Sequence, residues 1–468
     1  MRTHLRSQTH FVVDRGLGVP LPLPVLLVIG TVAAAVVGQG GYYPPVRTLV
    51  TALAGTALLA ALWVHPWTRD ETWLLVACGA LAGWAVVRAA MDGSVTAAVP
   101  TVATLGSVVS VLTVLRRADT AQREICATIA TGVGAAVALS GWIGVAWRIQ
   151  PLASAADDRL WRASSTLTYA NAAAALLGAL SVLSIALLLA RPASLLRATT
   201  AYLLMVGLGA TLSRAGLLSA LVGLVVLGLL AGVRSTARTV APVALGAAIA
   251  VGGLVPSVPV VAQPRPLVAV LAMATGLAIA LGGTRLPRRI RPIAVLGATV
   301  AAGVLLAMLV LPSRGMDVLT GSRATLTSPT RTDSAKAAWR LVADHPLLGV
   351  GPGRAAFTWA LPDGRIATGR YAHNEYLQIL VEFGALGFVL LLGVLVAIVV
   401  TVRRGRPVAS SPLLWAGATA ALAAVFVHSG LDFLWQLPVV PLTGALLAGL
   451  AGPAIPPSSA LPAVMEDQ

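Results

Sequence analysis

The sequence predicts an all-α polytopic membrane protein with about 12–14 transmembrane helices and one long extracytoplasmic loop. Of its 468 residues, 57% are hydrophobic and only 11% are charged, and the mean hydropathy is +0.87. Soluble domains usually contain about 25% charged residues. Apolar runs long enough to cross roughly 30 Å of hydrocarbon recur from near residue 21 to near residue 451. A soluble globular fold is therefore excluded.

The apolar runs divide into fourteen predicted crossings, of which the stretch 199–233 is the one that admits two segmentations. As a single helix its 35 residues would reach about 52 Å, which is too long for one crossing. Two short crossings that meet at Ser213-Arg214 are therefore predicted; a single tilted helix would move every upstream loop to the other side. The predicted crossings are 21–38, 47–64, 72–90, 97–115, 125–147, 166–190, 199–213, 215–233, 239–256, 266–283, 292–312, 376–402, 411–428 and 433–451.

The positive charge is distributed unevenly between the two sides of the membrane. Of the 33 basic residues behind the net charge of +16, 18 fall in loops on the N-terminal side and only seven in the short loops opposite. Short cytoplasmic loops carry an excess of Lys and Arg, so both termini are predicted in the cytoplasm of a multi-pass inner-membrane protein. No basic stretch is interleaved with aromatic residues, so a nucleic-acid partner is not expected.

Five segments follow from this topology. A cytoplasmic tail over 1–20 precedes a bundle of membrane helices over 21–312. A long extracytoplasmic loop over 313–375 then leads into the C-terminal transmembrane helices over 376–451 and a cytoplasmic tail over 452–468. The two cysteines lie in apolar runs, where small buried hydrophobic residues are a better interpretation than a disulfide.

The outer loop contains a predicted helix from near Thr332 or Asp333 to Asp344, because Pro346 disfavours its continuation. Arg331 stands at the start of this helix, where the dipole disfavours a cation by about 0.3–1 kcal/mol. An anion bound by Arg331 and the free helix N–H groups would reverse that cost, although an ordinary exposed arginine is the alternative. The glycines of the following segment 349–353 permit a tight turn or a close backbone approach.

His373 ends the loop and leads directly into the next crossing. On a helix, Arg370, His373 and Asn374 would share one face. Glu382 would then lie about 13 Å further along, inside the outer leaflet, where a carboxylate normally faces a cavity or a partner. Two interpretations stay open. One is a helix-capping cluster with Glu382 paired to an arginine; the other is a general base at the membrane surface, with Glu382 lining a polar cavity.

Three further polar residues lie near the outer ends of predicted spans. Arg214 is either a snorkelling anchor or a clamp for an anionic lipid headgroup, since a guanidinium pairs bidentately with phosphate. Arg162 and Asn171 bracket the start of the sixth span, where Asn171 could simply bond a neighbouring helix. The six histidines are scattered, so neither a metal site nor a cofactor is predicted.

Together these segments resemble the O-antigen ligase and O-antigen polymerase superfamily of bacterial envelope proteins. The segment His373-Asn-Glu-Tyr-Leu-Gln-Ile-Leu-Val-Glu-Phe-Gly-Ala-Leu-Gly387 resembles the signature at the end of the family's long outer loop. The remaining similarities, within a resemblance that covers about residues 160–440, are Arg331 to Trp339, His345 to Gly351, Ser213-Arg214-Ala215-Gly216 and Tyr169-Ala170-Asn171.

Members of this superfamily transfer a glycan from a polyprenyl-pyrophosphate carrier to an acceptor hydroxyl, without a metal. The resemblance implies that His373 is the catalytic base and that Arg214 and Arg331 hold the pyrophosphate. It also implies an undecaprenyl-pyrophosphate-linked glycan, a glycan or glycolipid acceptor and membrane lipid as partners. Further substrate-binding residues would be Arg370, Asn374, Glu382, Arg162 and Asn171.

Other functions remain as alternatives. A repeat-unit polymerase shares the same motifs as a ligase. A transferase that uses a polyprenyl-phosphate sugar usually has acidic residues in its first outer loop, and the segment Gln39 to Arg47 has none. A flippase or transporter of lipid-linked glycans would distribute charges through many spans, whereas here the polar residues concentrate in one outer loop and its neighbours.

Overall fold

The structure, a computed structural model, describes residues 21–64, 67, 69–155, 159–283, 329–360 and 364–454, and 77% of them are helical. Two short antiparallel hairpins accompany the helices: β1 (Ala153–Ala155) with β2 (Trp161–Ala163), and β3 (Phe357–Ala360) with β4 (Ile366–Gly369). The helices are α1 Leu23–Val37, α2 Pro44–Val64, α3 Arg69–Met91, α4 Val99–Arg117, α5 Thr120–Trp147, α6 Ala170–Ala190, α7 Leu195–Ala210, α8 Arg214–Ala231, α9 Val233–Leu254, α10 Pro266–Gly283, α11 Pro329–Asp344, α12 Glu375–Gly405, α13 Pro412–Ser429 and α14 Val439–Ala451.

Most of these helices are suited to a membrane. Within the described ranges, ten helices are long and apolar enough to cross a bilayer, and α1, α7 and α14 are shorter apolar helices. Each coincides with one predicted crossing, while the predicted crossing 292–312 lies outside the described residues. The predicted fold class, an all-α polytopic membrane protein, is confirmed.

The stretch 199–233 forms two helices that run in opposite directions. Helix α7 is antiparallel to α6, since Arg197 near its start donates to the carbonyl of Leu187 and a Cβ on Gly207, near its end, would lie 3.0 Å from Leu177. Helix α8 is parallel to α6, since Gly216 packs on Ala174 and Gly223 on Val182. The chain therefore turns back at residues 211–213, as the two-crossing segmentation predicts.

Successive helices alternate between two ends of the bundle. At one end Arg117 forms a buried ion pair with Glu71 across 2.7 Å, joining the end of α4 to the start of α3. At the other end the Arg47 side chain donates to the carbonyl of Gln436 across 3.2 Å, joining the start of α2 to the segment before α14. This second end gathers the segments 159–169, 211–214, 345–360, 364–375 and 429–438, which contain most of the predicted site residues.

The described part of the outer loop is folded rather than extended. Helix α11 and the β3–β4 hairpin pack on the beginning of α12 through a small apolar core. Phe357 and Ala338 contribute from the loop, and Leu377 and Val381 contribute from α12. The loop therefore positions the residues that directly precede α12, including His373.

Helix α12 is interrupted at Gly384, whose φ of +65° is left-handed. The segment Pro346 to Gly351 lies in the gap and satisfies the freed backbone groups. The N–H of Gly351 donates to the carbonyl of Glu382 across 2.9 Å, and the N–H of Ala385 donates to that of Pro346 across 2.8 Å. A Cβ on Gly384 would lie 2.3 Å from the carbonyl carbon of Leu347, which shows how closely the two backbones approach.

This interruption changes the expected position of Glu382. The sequence predicts one continuous helix with Glu382 about 13 Å inside it. Residues 385–405 alone, however, extend for about 30 Å, which is enough to cross the hydrocarbon. Glu382 therefore lies beyond one end of the crossing rather than within it, on a short helical segment that precedes the break.

Candidate active site

His373 is paired with a buried aspartate that lies 59 residues later in the chain. Its Nδ1 lies 2.8 Å from Oδ1 of Asp432, in the connection between α13 and α14. The Asp432 side chain is fully buried, whereas that of His373 is 32% exposed. A carboxylate on Nδ1 fixes the tautomer and leaves Nε2 to exchange a proton with a substrate. This is the arrangement of an oriented general base.

A chain of hydrogen bonds extends from Asp432 into the bundle. Its Oδ2 accepts from the hydroxyl of Tyr169 across 2.9 Å and from the side-chain amide of Asn171. Asn171 Oδ1 in turn accepts from Arg162 Nη2 across 2.8 Å. Arg162 Nε donates to the carbonyl of Thr211 across 3.0 Å. Guanidinium, amide, carboxylate and imidazole are thus connected in series, and the buried carboxylate receives the donors that its burial requires.

An aromatic stack holds the same elements together. Phe433 stacks on Tyr371 with 4.5 Å between centroids, lies parallel to Tyr169 at 5.3 Å and meets the His373 ring edge-on at 4.9 Å. Burial raises the pKa of Tyr371 to about 12, assisted by a hydrogen bond with Tyr42. Tyr371 is therefore neutral near pH 7 and serves as a packing group, so His373 is the group in this stack that can act as a base.

Asn374 is the cap of α12, because its Oδ1 accepts from the N–H of Leu377 across 3.1 Å. The helix begins at Glu375, and His373 has a left-handed φ of +50°. The prediction that Arg370, His373 and Asn374 share a helical face is therefore wrong, because the helix begins only after these three residues. Arg370 is exposed, and its carbonyl accepts from Gln378.

Glu382 faces a cavity of about 100 Å³ and is itself buried. Its carboxylate accepts from Gln378 Nε2 across 2.7 Å and from the backbone of Gly353. These contacts are not with an arginine, so the geometry favours the interpretation of Glu382 as a cavity residue over that of a paired charge.

Two predicted phosphate ligands lie in first turns of helices. Arg214 is the first residue of α8, where its side chain is exposed, and Ser213 caps the helix by accepting from the N–H of Gly216 across 3.2 Å. Arg214 lies three residues after Thr211, whose carbonyl accepts a hydrogen bond from Arg162. Arg162 and Arg214 are therefore at the same end of the bundle. Arg331 lies in the first turn of α11, and its role as a phosphate ligand stays a prediction.

Asp432 is the residue that the sequence analysis missed. The sequence did contain an indication of it: Asp432, like Glu382, is a carboxylate next to an apolar span, where an acidic side chain is costly and normally has a partner. The predicted span 433–451 placed Asp432 in a short loop, where an exposed acid attracts no notice. Elsewhere in the described ranges, no three His, Cys, Asp or Glu side chains are grouped as metal ligands would be.

A comparison with family models finds a match to the model described as O-antigen ligase, over residues 267–392. The matched segment contains His373, Asn374 and Glu382 as well as Arg331 and Arg370. No curated protein matches the chain significantly. The motif resemblance and the family match agree, and residues 267–392 of the chain are similar to the O-antigen ligase family.

Proposed function

We propose that this protein transfers a glycan from a polyprenyl-pyrophosphate carrier to an acceptor hydroxyl, on the outer face of the cytoplasmic membrane and without a metal ion. The observation that carries this proposal is the His373–Asp432 pair, which presents a partly exposed imidazole backed by a buried carboxylate. The O-antigen ligase match over the same segment supports the class of reaction.

In the proposed reaction, His373 Nε2 accepts the proton of the acceptor hydroxyl while its oxygen attacks the anomeric carbon of the glycan. The bond from that carbon to the pyrophosphate oxygen breaks, and the electron pair leaves with the pyrophosphate. Asp432 stabilises the imidazolium that forms, and the proton is then released to solvent. The pyrophosphate is a good leaving group, so the step requires a base and charge stabilisation rather than a nucleotide.

The arginines divide into two roles under this proposal. Arg214, Arg331 and Arg370 would bind the pyrophosphate and stabilise the negative charge that builds on it. Arg162 is already engaged by Asn171 and by a backbone carbonyl. We therefore assign Arg162 and Asn171 to the positioning of Asp432 rather than to direct substrate contact.

The proposal is tested with purified protein, an undecaprenyl-pyrophosphate-linked glycan and a panel of acceptors, with chelator present throughout. Release of undecaprenyl pyrophosphate that depends on an acceptor is the expected result. A single product band would indicate a ligase and a ladder a polymerase. Movement of the intact lipid-linked glycan across the vesicle membrane, without release of undecaprenyl pyrophosphate, would contradict the proposal and indicate a transporter.

A further inference from the structure

A second polar site lies beside the first turns of α12. It is the cavity of about 100 Å³ that Glu382 faces. Glu375, Gln378 and Glu382 line it from one face of the helix, because their spacings of three and four residues align them. Thr101 and Thr104 of α4 contribute hydroxyl groups from the opposite wall.

The cavity is directly adjacent to the proposed base. Glu375 is two residues from His373, and its carboxylate accepts from the N–H of Trp435. Trp435 lines the cavity and follows Asp432 by three residues. The segment 432–435 thus holds the base at one end and forms a cavity wall at the other.

The two sides of this segment carry different polar groups. Arg162 connects to Asp432 from the side of β2 and α8, where Arg214 is also found. On the cavity side lie the carboxyl groups of Glu375 and Glu382, whose residues are 1% and 8% exposed. Phosphate is bound by cationic donors, so the arginine side suits the pyrophosphate and the cavity does not.

The basic side chain in the cavity lining, Arg47, does not change this conclusion. Its guanidinium donates to the carbonyls of Tyr42 across 2.9 Å and of Gln436 across 3.2 Å, so it is held by the backbone of the wall. The other polar groups are carboxyl, amide and hydroxyl groups, and the rest of the lining is apolar or aromatic, including the indole ring of Trp435. In either protonation state, carboxyl groups hydrogen-bond hydroxyl groups, and amides do so as well.

We propose that this cavity binds the acceptor sugar, and that it selects a ring without an anionic substituent. The assignment of this sugar as the acceptor rests on the transferase function proposed above, whereas the preference for an uncharged ring rests on the cavity alone. Binding there would place a sugar hydroxyl beside His373, on the side opposite the pyrophosphate, as transfer between the two requires.

Direct binding tests the proposal without turnover. The protein is purified in a detergent that contains no sugar and is titrated calorimetrically with octyl β-glucoside or with octyl β-glucuronide, which differs by a carboxylate at C6. The glucuronide is expected to bind at least about tenfold more weakly, because its carboxylate would lose water in a cavity whose arginine is already engaged by backbone carbonyls.

A variant locates the binding. Thr104→Leu fills the cavity and is expected to weaken glucoside binding about tenfold. Val102→Leu is the matched control, since Val102 is an exposed residue on the same turn of α4 and does not line the cavity. Equal affinity for both glycosides, or unchanged affinity in Thr104→Leu, would overturn the proposal. Because no transfer is measured, such a failure is distinct from an absence of carrier release, which concerns the transferase function.

Discussion

At the scale of single residues, the site depends on how the environment of one imidazole is arranged. His373 has a left-handed backbone conformation, an aromatic ring against its edge and a buried carboxylate on Nδ1. Strained backbone at such a position is maintained only where the surroundings determine it. Here those surroundings are Phe433 and Asp432, which are adjacent in sequence and act on the same ring from two directions.

Replacement of Asp432 tests the orientation of the base. Asp432→Asn preserves the shape but favours the wrong imidazole tautomer, so kcat is expected to fall by about 10²–10⁴ with little change in KM. Carrier release at saturating donor and acceptor measures it. Asp333→Asn is the control, since Asp333 is partly exposed and pairs only weakly with Lys336 across 3.5 Å. A kcat within twofold of wild type in Asp432→Asn would show that Asp432 does not orient the base.

Asn171 tests whether the hydrogen-bond chain acts as a unit. Asn171→Ala deprives Asp432 of one donor and should lower kcat, though by less than Asp432→Asn does. When two residues act through one another, the effects of their substitutions on the activation free energy do not add. The double variant Asn171→Ala/Asp432→Asn should therefore be about as slow as Asp432→Asn alone. Losses that multiply in the double variant would instead show that Asn171 contacts substrate independently.

At the scale of elements, the interrupted helix α12 and the segment 346–351 form one unit. Arg88 of α3 completes it by donating to the carbonyls of Leu348 and Gly349, each across 3.0 Å. Arg88 also pairs with Asp92 across 2.8 Å, and its guanidinium lowers the pKa of that carboxyl. Non-helical backbone is tolerated at membrane depth only where other parts of the protein satisfy its N–H and C=O groups. The hydrogen bonds from Arg88 do so for the carbonyls of Leu348 and Gly349. The unit fixes the short helical segment that begins just after His373.

Gly384→Ala tests this unit. The left-handed backbone and the approach of Leu347 leave no space for a methyl group, so we expect a loss of about 1–3 kcal/mol in stability. Thermal unfolding in detergent measures the change. Gly393→Ala, later in the same helix, is the matched control because a Cβ there meets nothing within 4 Å. An unchanged melting temperature in Gly384→Ala would show that the segment is not held as described.

The sequence was informative about elements and less so about contacts. Long apolar runs and the charge bias predicted the crossings, including the reversal near Ser213, because span length depends on local composition. The break at Gly384 was not predicted, since it requires a partner segment 35 residues earlier that satisfies the backbone. Asp432 and His373 are likewise distant in sequence, so no local pattern joined them. The residues that matched a motif were found, and the residue that orients them was not.

At the scale of the whole molecule, the bundle has two chemically different ends. One end carries arginines bound to carboxylates and helix carbonyls, such as Arg123, which donates to Gly452 across 2.7 Å. The other end carries the His373–Asp432 pair, the outer-loop fold and the cavity. The charge bias predicts that the first end is cytoplasmic and the second extracytoplasmic.

Cysteine labelling tests this orientation. The native Cys78 and Cys126 are buried, so a membrane-impermeant maleimide should give little background in intact cells. Lys336→Cys on α11 is expected to label in intact cells, and Arg404→Cys at the end of α12 only after lysis. The reverse pattern would place the proposed site in the cytoplasm and contradict the topology.

The central claim is that His373 is the base of a glycan transfer, and its replacement tests that claim most directly. The measurement is single-turnover release of undecaprenyl pyrophosphate by His373→Ala, at saturating carrier-linked glycan and acceptor. His345→Ala is the control, since His345 is exposed in the same loop. If His373 is the base, the release rate in His373→Ala should be lower by about 10²–10⁴ while carrier binding is retained. The release rate in His345→Ala should equal that of the wild type. Undiminished release in His373→Ala would contradict the claim.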